Sequence, residues 1–141
     1  MSDAGSVRLV LGLLDAAGSI QRRFDRGLAV VRGVSFSEYR LLLALAEQQG
    51  RASTRVGLAR RVGLSPSAVT RALKPLEKQG YVVTERGPRD ARQAVARLTE
   101  GGAQLLADCE QVVAEEVERL GLDDAAKEHG IALLGALPRS G

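Results

Sequence analysis

The sequence predicts a mostly α-helical chain that is α+β by strict count, and three observations point to this class. Aromatic residues make up only 3% of the 141 residues. Long stretches repeat their apolar residues with a period near 3.6, which is typical of amphipathic helices. Between residues 81 and 98 the pattern changes to two short β-branched or alternating segments. A chain of this length suits one domain or one subunit of an oligomer.

The first predicted helix covers about residues 7–31, where apolar residues recur at helical spacings before Gly33 ends the pattern. A second helix follows, and Ser35 and Ser37 are both candidate N-caps because each is a short polar residue ahead of an apolar stripe. Gly50 closes that stripe.

Two helices and a hairpin come next. Ser53 or Thr54 caps a short third helix that ends near Val62, and Gly80 stops a fourth helix, Ser65–Gln79. The hairpin has strands at Tyr81–Glu85 and Ala94–Leu98, joined by a long basic loop that contains Gly87-Pro88.

Two more helices complete the chain. Thr99 caps a fifth helix that continues to about Leu120, although Gly101 and Gly102 lie in its first turn. Asp123 or Asp124 begins a sixth helix, which ends near Leu137 ahead of Pro138.

The turn between the third and fourth helices has the spacing of a helix-turn-helix unit. Such units need a small residue on the first helix, glycine in the turn and an apolar residue on the second helix, and Ala59, Gly63 and Val69 fall at these offsets. Ser65 is an N-cap and Pro66 occupies the first helical position. An ordinary helical hairpin could imitate parts of this pattern.

The fourth helix divides into an inner apolar face and an outer polar face. Val69, Leu73 and Leu76 lie inside, at positions i, i+4 and i+7. The outer arc carries hydroxyl groups near the helix start and cations further along, a pattern that suits the major groove of DNA. These outer residues are Ser67, Thr70, Arg71, Lys74 and Lys78, with Glu77 as the one acid.

Pro75 removes the backbone hydrogen bond to the Arg71 carbonyl, and in an isolated helix it would cost roughly 3 kcal/mol. Either the fourth helix bends near Arg71–Pro75, or the tertiary core tolerates the kink.

Charge is distributed unevenly along the chain. Residues 51–97 contain 11 basic and 3 acidic groups, a net charge of +8, whereas residues 98–141 contain 3 basic and 9 acidic groups, a net charge of −6. A basic centre of this kind indicates a polyanion site. Arg86, Arg89 and Arg92 lie on the loop of the hairpin, from which they could reach the narrow minor groove.

The run Ser65-Pro-Ser-Ala-Val-Thr-Arg-Ala-Leu-Lys-Pro-Leu-Glu-Lys-Gln-Gly-Tyr-Val, followed by Asp90-Ala-Arg92 and Leu98-Thr99, resembles the MarR family of prokaryotic regulators. The resemblance implies a winged helix-turn-helix with flanking N- and C-terminal dimerisation helices. It also implies that the outer face of the fourth helix contacts DNA, that Arg92 enters the minor groove and that Asp90 orients the wing. The predicted DNA-binding residues are Ser65, Ser67, Ala68, Thr70, Arg71, Lys74, Arg86, Arg89, Asp90 and Arg92.

We therefore expect three regions: an N-terminal dimerisation helix (1–34), a winged helix-turn-helix domain (35–98) and C-terminal dimerisation helices (99–141). The predicted function is a transcriptional regulator, a ligand-responsive repressor that binds a pseudo-palindromic operator as a homodimer. The resemblance implies that a small-molecule effector binds in the crevice between the dimerisation helices and the winged helix-turn-helix domain. With no membrane-length apolar run, no signal peptide and one cysteine, the expected location is the cytoplasm.

Other function classes find less support in the sequence. No nucleophile–base pair, glycine-rich phosphate loop or metal-ligand cluster is recognisable, so we expect no enzyme, cofactor or metal site. Cys109 could serve a redox sensor, but it shares an apolar stripe with Leu106 and Val113, which favours a structural role. His129 is expected at a surface or an interface. A winged-helix module that binds protein instead of DNA remains an alternative.

Overall fold

The computed structural model describes residues 3–87 and 89–139. Pro88, half of the Gly87-Pro88 pair predicted in the hairpin loop, lies outside the described residues. Across these ranges, six α-helices and three β-strands follow one another in the order α1 (Ala4–Leu28), α2 (Phe36–Ala46), β1 (Ala52–Thr54), α3 (Arg55–Val62), α4 (Pro66–Lys78), β2 (Val82–Arg86), β3 (Ala94–Leu98), α5 (Glu100–Arg119) and α6 (Asp124–Ala136). The predicted class, mostly helical with a small sheet, is confirmed.

Five helices begin at a side-chain cap, and the caps settle the choices that the sequence left open. In each, the side-chain oxygen accepts a hydrogen bond of 2.8–3.1 Å from the backbone N–H three residues further on. Ser35, Thr54 and Asp123 are the caps, in place of Ser37, Ser53 and Asp124. Ser65 and Thr99 cap α4 and α5 as predicted.

The first helix ends three residues earlier than predicted. The chain leaves the helix after Leu28 and passes through two residues with left-handed backbone angles, Arg32 (φ 52°) and Gly33 (φ 73°). The Gly33 N–H then donates to the Ala29 carbonyl at 3.1 Å. A tight turn therefore replaces the last predicted helical residues, and Val31 lies inside it.

The sheet has three antiparallel strands in the order β1-β3-β2. The predicted hairpin corresponds to β2 and β3, with Val82 opposite Leu98 and Arg86 opposite Ala94. The sequence did not predict β1, whose three residues pair with the other edge of β3, from Ala52 opposite Arg97 to Thr54 opposite Val95. The wing, which consists of β2, β3 and the loop between them, is thus joined at its base to the segment that precedes α3.

One apolar core lies between the end of α1, α2, α3, α4, the base of the sheet and the first half of α5. Within the described part of the chain, no buried side chain is polar or charged. The most completely buried side chains come from all these elements and include Leu28, Leu41, Leu42, Leu45, Leu58, Val69, Leu73, Leu76, Val82, Leu98 and Leu105. The core therefore holds the helix-turn-helix unit against the wing.

The close packing of α5 against the wing depends on Gly102. A Cβ placed there would overlap the backbone carbonyl of Tyr81 and the side chain of Leu98. At the neighbouring Gly101, a Cβ would make only ordinary contacts of 3.7 and 3.9 Å. The second glycine of the pair thus lets α5 approach the start of β2. From the sequence, the two glycines were notable only as unfavourable residues in the first turn of a helix.

Two parts of the chain pack little against the rest of it. The first half of α1 exposes a row of large apolar side chains: Val7, Leu9, Val10, Leu11 and Leu14. No residue of α6 is buried, and Ile131 and Leu134 are 70% and 60% exposed. Within residues 3–87 and 89–139, no helix is both long and apolar enough to cross a membrane.

Candidate nucleic-acid interface

The turn between α3 and α4 has the geometry that its sequence predicted. Gly63 adopts a left-handed conformation (φ 68°), and its N–H donates to the carbonyl of Ala59 at 3.0 Å. Ala59 is only 7% exposed and Val69 is fully buried. The two helices therefore pack together through a small residue on α3 and an apolar residue on α4. Pro66 is the first residue of α4. The helix-turn-helix prediction is therefore confirmed, and the simple helical hairpin is excluded.

The two faces of α4 also separate as predicted. Val69, Leu73 and Leu76 are buried on the inner face. Outside, Ser67, Arg71, Lys74 and Lys78 are exposed, while Ala68 and Thr70 are half-buried. A cationic and hydroxylated surface with no competing core contact is what a DNA groove requires.

The polar side chains of α4 and its N-cap differ in whether they already make hydrogen bonds within the chain. Ser65 Oγ is occupied as the N-cap acceptor for the Ala68 N–H at 3.1 Å, and Thr70 Oγ1 donates to the Pro66 carbonyl at 3.1 Å. Among the residues the structure describes, no side-chain hydrogen bond or ion pair engages Ser67, Arg71 or Lys74. These three side chains, together with Lys78 at the end of the helix, are therefore available to an external partner.

Pro75 does not break the helix. It lies inside α4, which continues to Lys78, and its carbonyl accepts a hydrogen bond from the Gln79 N–H at 3.2 Å. Leu73 and Leu76 on either side of it are buried in the core. The helix therefore continues through Pro75, with buried side chains on both sides of it.

The loop of the wing is closed by hydrogen bonds made by three predicted site residues. Asp90 Oδ1 accepts from the backbone N–H of Arg92 at 3.0 Å and from its Nε at 3.4 Å. An Nη of Arg86 donates to the Ala91 carbonyl at 3.2 Å. Asp90 and Arg86 thus shape the loop, whereas the side chain of Arg92 remains 93% exposed at its outer surface. Arg89 is exposed beside them.

All three acidic groups of the basic centre are paired. Glu77 lies 3.0 Å from Arg55, Glu85 lies 2.6 Å from Arg97, and Asp90 is held by Arg92. The hydrogen bond from Arg97 lowers the pKa of the Glu85 carboxyl, so this pair stays charged. Within the described ranges, no ion pair involves the remaining exposed cations Arg60, Arg71, Lys74, Lys78, Arg86 and Arg89. The surface is therefore left with excess positive charge.

Three residues that the sequence did not bring together meet between α4 and the wing. Arg55 and Thr84 both contact the Glu77 carboxylate. The sequence had identified Glu77 only as the one acid on the outer face of the fourth helix, α4. Arg55 is 22 residues away from it, so no local pattern could have revealed the contact.

Cys109 is buried in the core. Burial, followed by the negative charge of Asp108, raises the pKa of its thiol to about 11. The reactive thiolate is therefore disfavoured, in agreement with a structural role. His129 is exposed, and the described part of the chain contains no cluster of three metal-ligating side chains.

A small crevice lies where α1 and α2 meet the helix-turn-helix unit. Its volume is about 180 Å³, and Asp25 at its edge accepts a hydrogen bond from the Phe36 N–H at 2.7 Å. The guanidinium of Arg40 lies 5.9 Å from the centre of the Phe36 ring. The lining residues are Gln21, Asp25, Phe36, Ser37, Arg40, Val62 and Leu64.

Known proteins resemble this chain in sequence and in fold. Over 104 residues it is 29% identical to the HTH-type transcriptional repressor YetL of Bacillus subtilis (strain 168). The matched region covers 73% of this chain and 62% of YetL, so it spans less than two thirds of that relative.

Two solved structures superpose over nearly the whole chain. Sco3205, a MarR family transcriptional regulator from Streptomyces coelicolor in complex with DNA, is 23% identical with a TM-score of 0.82, covering 100% of this chain and 94% of that one. CouR from Rhodococcus jostii RHA1, bound to p-coumaroyl-CoA, is 26% identical with a TM-score of 0.79, covering 94% and 93%. The family model of the MarR family matches residues 32–93, from the end of the α1 turn through the wing loop. Together with the helix-turn-helix geometry, these matches show that the chain is similar to MarR family transcriptional regulators, in sequence over residues 32–93 and in fold over nearly its whole length.

Proposed function

We propose that the chain is a DNA-binding transcriptional repressor that reads a pseudo-palindromic operator as a homodimer, with α4 in the major groove and the wing against the minor groove. The observation that carries the proposal is the outer face of α4, where Ser67, Arg71 and Lys74 are exposed and unengaged among the described residues. The proposed DNA site consists of the ten residues predicted from the sequence, among which Asp90 and Arg86 hold the wing loop in shape. The DNA-bound relative Sco3205 supports the docking mode by its fold.

The unpartnered helices support the homodimer. A free monomer would expose the apolar row on the first half of α1 together with Val117 of α5 and Ile131 and Leu134 of α6. Such a patch is unusual on a monomeric soluble protein and marks an association surface. Two recognition helices about 34 Å apart would then read successive major grooves on one side of the duplex.

The crevice beside Arg40 is the proposed effector site. The crevice lies between α1, which would be a dimerisation helix, and the end of α3. A ligand there could change the angle between the dimerisation helices and the helix-turn-helix unit. Arg40 and Asp25 offer one charge of each sign, and Phe36 offers an aromatic face. The ligand-bound relative CouR supports the idea of an effector without identifying it for this chain.

The test is selection of genomic DNA fragments by the purified protein, followed by sequencing and by binding isotherms at several salt concentrations. A DNA reader should enrich a motif with two-fold symmetry, and its affinity should fall steeply with salt because phosphate contacts release counterions. Recovery of random fragments with no salt dependence would favour the protein-binding module instead.

A further inference from the structure

A network of three polar side chains joins the wing to the recognition helix. Nη2 of Arg55, at the start of α3, lies 3.0 Å from Oε1 of Glu77 near the end of α4. The hydroxyl of Thr84, in β2, donates to the same carboxylate oxygen at 2.8 Å and lies 3.5 Å from Arg55 Nη2. Three elements of the candidate interface therefore meet at one carboxylate, which we call the Glu77 junction (Arg55, Glu77 and Thr84).

The junction lies where the wing leaves the core. Strand β2 lies at the edge of the sheet, and within residues 3–87 and 89–139 its backbone pairs with β3 alone. Val82 at its start is fully buried, but the strand becomes exposed from Thr84 to Arg86. Among the residues the structure describes, the bond from Thr84 is the one side-chain hydrogen bond between β2 and α4. This bond thus links the exposed part of β2 directly to α4, in addition to the pairing of β1 with β3 at the base of the wing.

The junction is more sheltered than an ordinary surface ion pair. The side chains of Arg55 and Glu77 are 27% and 30% exposed, so water and salt screen their attraction only in part. Arg55 also buries its Nε without a hydrogen-bond partner in the described part of the chain. Since a half-buried cation with an unsatisfied N–H is costly, the Glu77 carboxylate is what stabilises the guanidinium in this position.

We propose that Glu77 is a positioning residue for DNA recognition, which with Arg55 and Thr84 fixes the wing relative to the recognition helix. The inference rests on the proposed function, because it concerns how the two reading elements are held for the same DNA. Glu77 acts through the junction and does not contact DNA. Its negative charge by itself would weaken binding to a polyanion.

The sign of that electrostatic effect makes the proposal testable. Glu77→Ala removes one negative charge, so electrostatics alone predicts tighter binding, whereas loss of the junction predicts weaker binding. We expect affinity to fall about tenfold, the size of one charge-assisted hydrogen bond. The probe is a duplex that the wild-type protein itself selects from a random-sequence library. Glu85→Ala is the matched control, since it removes the same charge from β2 but breaks only the pair with Arg97 inside the wing.

A conservative variant and a double-mutant cycle separate positioning from simple loss of stability. Glu77→Gln keeps an acceptor oxygen for Arg55 and Thr84 and should recover most of the lost affinity. In the Glu77→Ala background, the further loss caused by Arg92→Ala should be smaller than in the wild type, because the wing is no longer held in place. If Glu77→Ala fails to fold, Thr84→Val at an exposed strand position removes the bond from β2 without changing any charge, and it should still weaken binding of the selected duplex.

The proposal is overturned if Glu77→Ala, in folded protein, binds the selected duplex as tightly as Glu85→Ala does. It is equally overturned if the cost of Arg92→Ala is the same in both backgrounds. Failure of the proposed function looks different, because the wild-type protein would then select no duplex at all.

Discussion

Arg71 and Arg92 represent two kinds of basic residue, and single substitutions should tell them apart. Arg71 lies on the outer face of α4, where a guanidinium can reach a base edge, so Arg71→Ala should cost about 1–3 kcal/mol on the selected operator and relax preference at one position of each half-site. Arg92 extends from the wing loop, so Arg92→Ala should weaken all sequences more evenly. Binding isotherms on matched and scrambled duplexes would measure both effects.

The salt dependence supplies the control for this pair. Each lost phosphate contact should flatten the slope of log K against log salt by about one unit, which is expected for Arg92→Ala. If both variants bound DNA with the affinity and salt dependence of the wild-type protein, the proposed DNA interface would be wrong.

Cys109 should behave as a core residue. Because the thiol is buried with a pKa of about 11, it should react slowly with an alkylating reagent at pH 8 in the folded protein and rapidly after unfolding. Cys109→Ser should lower stability by about 1–3 kcal/mol, since it buries a hydroxyl in an apolar site. Peroxide-treated and untreated wild-type protein should bind DNA alike. Release of the wild type, but not of the serine variant, would instead establish a redox sensor.

At the scale of elements, the adjacent glycines of α5 make a matched pair. Gly102→Ala should push α5 away from the start of β2 and destabilise the protein by about 1–3 kcal/mol, because the new Cβ has no space. Gly101→Ala should be neutral or stabilise by up to about 1 kcal/mol, since alanine favours the helix and meets only ordinary contacts. Thermal unfolding of both variants would measure the difference, and equal melting temperatures would contradict the packing described for Gly102.

The elements themselves were predictable wherever their signals are local. Helical periodicity, the caps and the Ala59–Gly63–Val69 spacing each depend on residues within one or two turns, and these predictions are confirmed. The sequence did not predict β1, because three residues carry no period and the strand exists only through pairing with β3, more than 40 residues later. For the same reason it did not predict the Glu77 junction, whose partners come from three separate elements.

At the scale of the whole molecule, the exposed apolar surfaces predict an obligate dimer. Sedimentation equilibrium at micromolar protein should give twice the chain mass of 14.9 kDa. Leu134→Glu in α6 should shift the protein towards monomer, because it places a charge on the proposed association surface. Val56→Glu is the control, since Val56 is an exposed apolar residue of α3, a helix that is not part of the proposed association surface. A well-folded wild-type monomer at this concentration would rule out the dimer.

The lack of any buried residue in α6 has a consequence for how the protein would respond to its own abundance. A helix of 13 residues is marginal in water by itself, so α6 should become ordered only as two chains combine. Its backbone amides should therefore exchange with solvent faster in dilute samples than in concentrated ones. If the proposed dimer is the species that binds DNA, occupancy of its operator below the dissociation constant of the dimer would rise with the square of the chain concentration. A modest change in expression would then switch the target gene more sharply than a monomeric repressor could.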